Sequence, residues 1–205
     1  MAAPGTHIVL TKKIFTKYFS DKIEADFYVG TSFPDIRYLG IINRDKTHFK
    51  GIQIEDIKQD ESFISGLKFH SIVDEIREQY FHNNGYYKLF PKSDYVTQAM
   101  KILEDRVLYH KINDWNEILT FFDKIYKQEK NFGINTSDIK RWHLTLTTYL
   151  SHDPKHNHDI YNFINNINRP REIADEIIII LNNIDNSKAK KIILDFYDDF
   201  ENLLS

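Results

Sequence analysis

Residues 63–81 read FISGLKFHSIVDEIREQYF, a run with apolar side chains at helical spacing and with His70 and Asp74 four residues apart. At about 100° per residue, that spacing sets an imidazole and a carboxylate one turn apart on the same helix face. Phe63, Leu67 and Phe81 fall near the same line, so this face is expected to turn into the protein. An inward carboxylate is costly unless a cation or a hydrogen-bond donor compensates it. The stretch therefore predicts a central helix that carries polar chemistry on its packed side.

Upstream, three more polar residues are wedged between large apolar ones. His7 opens the segment THIVLTKKIFTKYF, Asp35 sits in Phe33-Pro34-Asp35-Ile36, and His48 sits in Thr47-His48-Phe49. With His70 and Asp74 they make a set of imidazoles and carboxylates of the kind that holds zinc and other divalent ions. Each residue also has an ordinary reading. His70 and Asp74 can form a plain hydrogen-bonded pair, and Asp35 an Asx-turn after Pro34. His7 can belong to a helix cap region, and His48 can stack on Phe49.

A chain of 205 residues suits one domain, taken as 1–205. The net charge of −3 gives no electrostatic case for nucleic acid, which calls for a strongly basic face. Cysteine is absent, which removes disulfides and thiolate ligands. With no basic-then-apolar leader and no apolar run of membrane-spanning length, the expected location is cytoplasmic, with no transmembrane segment.

In chain order, helical stripes are expected over 7–19 and over 22–29, the second stopping at Gly30. Residues 31–60 are rich in turn signals, and a loop of that length inside a compact domain tends to be functional. The central helix should be capped by Asp60 or Ser62 and end at Asn83-Asn84-Gly85. Pro91-Lys92-Ser93 should start the next, burying Val96, Ala99, Met100, Leu103 and Val107. An acidic cap at Asp114 should open a helix through about Tyr126. Further helices are expected over about 138–150, 159–167, 171–182 and 189–204, with a polar connection over 151–158. Asp105 is expected at the surface, with a late carboxylate ligand to the centre as its alternative role, and His82 and His110 are further candidate ligands. His152, His156 and His158 form a histidine-rich loop without a matching helix context. No segment alternates as a strand does. The expected fold is all-α: a single-domain, multi-helix bundle with a metal site between the N-terminal helices.

The order His7, Phe33-Pro34-Asp35-Ile36, Thr47-His48-Phe49 and His70-Ser71-Ile72-Val73-Asp74 resembles the zinc-dependent phospholipase C family, related to the S1/P1 nucleases, over residues 5–80. That resemblance implies a metal bound by Asp35, His48, His70 and Asp74, and a second shared by His7 and a bridging Asp74. The family's N-terminal Trp ligand and its His-x-x-x-Glu pair have no counterpart, which leaves one or two ions. The implied ion is zinc, with manganese or another divalent metal compatible. The implied activity is hydrolysis of a phosphoester small molecule or a lipid headgroup. Asp35 would be a ligand that also orients the attacking water, and Arg77, near the His70–Asp74 face, would hold a phosphate oxygen. Residues 66–74 also resemble the His-x-x-x-Asp helix of HD-like acyl-carrier-protein phosphodiesterases, which implies a carrier-protein or nucleotide phosphodiester. A catalytically silent helical module that binds a partner protein is the non-enzymatic alternative. No Gly-rich phosphate loop, Gly-x-Ser-x-Gly elbow or Cys nucleophile offers another chemistry.

Overall fold

The structure, a computed structural model, describes residues 2–204. Helix α1 (Pro4–Tyr18) starts on a proline, which has no N–H to leave unsatisfied at a first turn. It is followed by α2 (Glu24–Ser32) and α3 (Ser62–Asn83). Then come α4 (Val96–Leu108), α5 (Trp115–Leu119) and α6 (Lys127–Lys130). The chain closes with α7 (Thr136–Leu150), α8 (Asn157–Asn166), α9 (Arg171–Asn182) and α10 (Asn186–Asp199). Among the described residues there is no strand, and the fold is all-α. No helix among them is long and apolar enough to cross a membrane.

The central helix is the axis of the packing, and α2 lies closest to it. Two glycines make that approach possible. A Cβ placed on Gly30 would stand 2.1 Å from the Phe63 carbonyl oxygen, and one on Gly66 would stand 2.0 Å from that of Phe27. Around the crossing, Phe27 packs on Phe19 and Phe69, and Phe33 on Phe63. Gly30 is thus not the helix stop expected of it. The helix runs on to Ser32, because the missing side chain serves a close approach rather than a turn.

Other ends also move, for identifiable reasons. Neither Asp60 nor Ser62 caps α3, whose N-cap is Glu61 without a side-chain bond. The Ser62 hydroxyl instead accepts the Ile23 N–H, and the Asp60 carboxylate holds Lys68. Ser93 accepts the Tyr95 N–H in a turn, so Pro91-Lys92-Ser93 precedes α4 rather than starting it. Asp114 does cap α5, accepting the Asn116 N–H at 2.9 Å, but α5 gives way to a 3₁₀ turn over Thr120–Phe122. Helix α10 ends at Asp199, before a 3₁₀ turn over Asn202–Leu204. Between α2 and α3 the chain folds into 3₁₀ turns at Phe33–Leu39, Arg44–Lys46 and Ile54–Ile57.

The largest departure is in α4. Ala99, Met100 and Leu103 are buried as expected, but so are Lys101, Glu104 and Asp105. Arg77 on α3 meets Glu104 through two of its guanidinium nitrogens, with both side chains sealed from solvent. Asp105 is only 3% exposed rather than at the surface. Its carboxylate accepts the Gly5 N–H at 3.2 Å, the Thr6 N–H at 2.7 Å and the Thr6 hydroxyl at 3.0 Å. The side chain thereby satisfies orphan donors at the start of α1.

Candidate metal centre

Four parts of the chain deliver the candidate ligands. The first turn of α1 carries His7, the 3₁₀ turn after α2 carries Asp35, the segment after Arg44–Lys46 carries His48, and α3 carries His70 and Asp74. All five side chains are buried. Asp74 lies at the middle. Its Oδ1 is 3.4 Å from His7 Nε2, and its Oδ2 is 3.5 Å from His48 Nε2 and 3.8 Å from His70 Nε2. The His7 and His70 rings stack with centroids 3.7 Å apart, and His48 meets His70 edge-on at 4.9 Å. One ligand atom from each of His7, His70 and Asp74 lies within 4.8 Å of the other two.

The far side of each ring fixes which nitrogen faces the carboxylate. His70 Nδ1 is 2.8 Å from the Thr31 carbonyl oxygen, and His48 Nδ1 is 3.2 Å from that of Arg44. A carbonyl only accepts, so in His70 the proton sits on Nδ1 and the Nε2 lone pair is turned toward Asp74, whereas His48 Nδ1 also lies 3.0 Å from the Thr47 hydroxyl, which can donate to it. An imidazole anchored through one nitrogen and open at the other is the arrangement of metal-ligating histidines. Burial lowers the His70 pKa well below its ordinary value, and the neighbouring His7 ring adds to this, so the imidazole is neutral. Burial alone would raise the pKa of Asp74. The His48 and His7 imidazoles outweigh it and hold the carboxyl well below the usual carboxylate range.

Among the described residues, both His7 ring nitrogens, His48 Nε2, His70 Nε2 and both Asp35 oxygens are buried without a hydrogen-bond partner. Asp35 Oδ1 has the Arg37 guanidinium 3.6 Å away. A concentration of orphaned buried polar atoms is unfavourable in a finished core, where such groups are almost always satisfied. At His70 a neutral Nε2 lone pair faces the ionised Asp74 carboxylate 3.8 Å away, a contact that a cation between them turns from repulsive to attractive. The donor set suits zinc or a related divalent ion.

A cleft of about 900 Å³ reaches this group from outside, lined by Arg44, Ser71, Asp74, Glu75, Glu78 and His82 among others. Arg44 is half exposed, with its guanidinium 3.5 Å from Asp74 Oδ2. The Ala2 N–H donates to Asp74 Oδ1 at 2.7 Å. Neither residue is among the candidates that the sequence offers: Arg44 is marked only by its place four residues before His48 within the turn-rich segment, and Ala2 carries no chemical marker.

Arg77, expected at a phosphate oxygen, is occupied elsewhere: Glu104 and the Tyr87 hydroxyl hold its guanidinium in the core. Asp105 is taken up by the start of α1. His82 is exposed in the last turn of α3, and His110 pairs with Asp153 at 3.1 Å on the surface. No family model matches this chain, and neither the curated proteins nor the solved structures contain a match to it.

Proposed function

We propose that the protein is a metal-dependent phosphoester hydrolase whose centre is built from His7, Asp35, His48, His70 and Asp74. The observation that carries the reading is the orientation of the histidines. The Nε2 atoms of His48 and His70 converge on Asp74 while their Nδ1 atoms are anchored to backbone carbonyls. Asp74 has one oxygen toward His7 and the other toward His48 and His70, as a residue bridging two ions would. Zinc fits this donor set, and manganese or another divalent ion is compatible with it.

An ion in this place supplies Lewis acidity toward a phosphoryl oxygen and acidifies water. The residues of the chain supply the rest. Asp35, buried with neither oxygen hydrogen-bonded and with the Arg37 guanidinium 3.6 Å from Oδ1, orients the attacking water and receives its proton. Arg44, at the mouth of the cleft, holds a non-bridging phosphate oxygen, the role first expected of Arg77. His7, His48, His70 and Asp74 hold the reacting group away from bulk solvent, in a setting where fixed charges act strongly.

The test is elemental analysis of the purified protein beside His70→Ala and Asp35→Ala, with hydrolysis of bis(p-nitrophenyl) phosphate followed in parallel. Wild type is expected to retain about one or two equivalents of zinc or manganese and to turn over the diester. His70→Ala should lose metal and activity together, and Asp35→Ala should lose activity by at least about 100-fold. Near-zero metal in all three proteins would overturn the reading.

A further inference from the structure

We propose that His152, His158 and Asp159 form a second binding site, for a divalent transition-metal ion such as zinc, on the connection between α7 and α8. The site is separate in sequence and in ligands from the centre built on α3. Its three donor atoms lie within 4.8 Å of one another. His152 Nε2 is 2.7 Å and His158 Nε2 2.9 Å from the same oxygen, Oδ1 of Asp159. Both imidazoles are about half exposed or more, whereas the carboxylate between them is buried. An ion thus has an open path and a fixed anionic floor.

The surroundings of the three residues hold them in place for ligation. Asp159 Oδ2 accepts the His156 N–H at 2.9 Å at the start of α8, which leaves Oδ1 for the imidazoles. The His156 ring stacks on His158 at 5.5 Å, nearly parallel, which steadies that ring. His152 Nδ1 lies 3.1 Å from the Ser151 hydroxyl, whose own proton goes to the Thr148 carbonyl at 3.0 Å. The hydroxyl therefore accepts, and Nδ1 carries the proton. In the neutral ring, the Nε2 lone pair then points at a carboxylate oxygen at hydrogen-bond distance. That contact demands a positive charge, which either a second proton on the ring or a bound ion supplies.

Two imidazole nitrogens and one carboxylate oxygen, with solvent completing the set, are ligands for zinc, nickel or copper rather than for calcium or magnesium. Ligand bonds of about 2.0–2.2 Å at near-tetrahedral angles need the nitrogens to move outward by about half an ångström. Exposed histidine side chains supply that movement. An ion here would tie the end of α7 to the first turn of α8. Phe163 and Ile164 of α8 wall a cavity of about 420 Å³ that also contains Arg37 and Lys101, so the clamp steadies one side of that cavity.

Equilibrium dialysis against low-micromolar zinc, followed by elemental analysis, separates this site from the other. Wild type should hold one equivalent more than His152→Gln/His158→Gln, and His70→Ala should keep that equivalent. Because both substituted side chains are exposed, the double variant should keep its helical circular dichroism. Imidazoles must give up a proton to bind the ion, so the extra equivalent should be lost on acidification. A second readout uses wild type alone: zinc should shift the ring-nitrogen NMR signals of His152 and His158. Equal zinc content in wild type and the double variant, or ring signals that zinc leaves in place, would overturn the proposal.

Discussion

Asp105 is where burial and function-like geometry part company. It sits at the N-terminus of α1, where the helix dipole and two backbone N–H groups favour the ionised form. Complete burial outweighs them and raises its pKa from 3.8 to about 7. Between those two values the folded protein binds a proton at this position that the unfolded chain has already released. The contribution of Asp105 to stability is therefore full below about pH 4 and is lost as pH rises toward 7. The whole span is worth roughly 4 kcal/mol at most. In Asp105→Asn this titration is absent, so the stability advantage of wild type over the variant should shrink from pH 4.5 to pH 7.5. Urea unfolding of both proteins at the two pH values measures it. An advantage that stays constant, or grows with pH, would contradict the burial argument. Comparison with the variant also removes the opposite contribution of Asp74, whose depressed pKa costs stability only on acidification.

Between elements, the α2–α3 crossing makes a prediction whose sign is diagnostic. In an ordinary exposed helix, replacing glycine by alanine stabilises by about 1 kcal/mol. At Gly66 the new methyl group would stand 2.0 Å from the Phe27 carbonyl oxygen, and backbone cannot swing aside as a side chain does. Gly66→Ala should therefore lower stability by about 3 kcal/mol or more, measured by thermal or urea unfolding. An unchanged or raised midpoint would mean the helices do not meet here. The crossing also explains a limit of the sequence. Gly30 read as a stop because a glycine that ends a helix and one that lets another helix approach are the same letter. Only the partner, Phe63, distinguishes them. The interior periodicity of α3, α7 and α9 was legible because each pattern is local. The ends were less so. Ser62 and Asp60 look like caps, yet Ile23, just ahead of α2, and Lys68, two turns along α3, claim their side chains.

For the molecule as a whole, legibility followed the same rule of distance. His70 and Asp74 were readable as an inward pair because four residues separate them, and the remaining candidates because each was a polar residue in an apolar setting. The inward face of α4 was not readable, since Lys101, Glu104 and Asp105 are compensated by Tyr38, Arg77 and Thr6, which lie 63, 27 and 99 residues away. The same long-range construction would make the proposed metal centre a tie across the fold. Its candidate ligands come from α1, from the segment between α2 and α3, and from α3 itself, so the unfolded chain cannot present them together. An ion that binds only the folded form stabilises it by about 2.7 kcal/mol at a hundred times its dissociation constant. For a chain of this size that corresponds to a rise of about 5–10 °C in the unfolding midpoint. Removal of metal with a chelator should lower the midpoint by that amount, and zinc should restore it. His152→Gln/His158→Gln should retain most of this response and His70→Ala should lose most of it, because only the α3 centre joins segments distant in sequence. Scanning calorimetry of the three proteins with chelator and with zinc decides the matter, and equal responses in wild type and His70→Ala would show that the tie is not there.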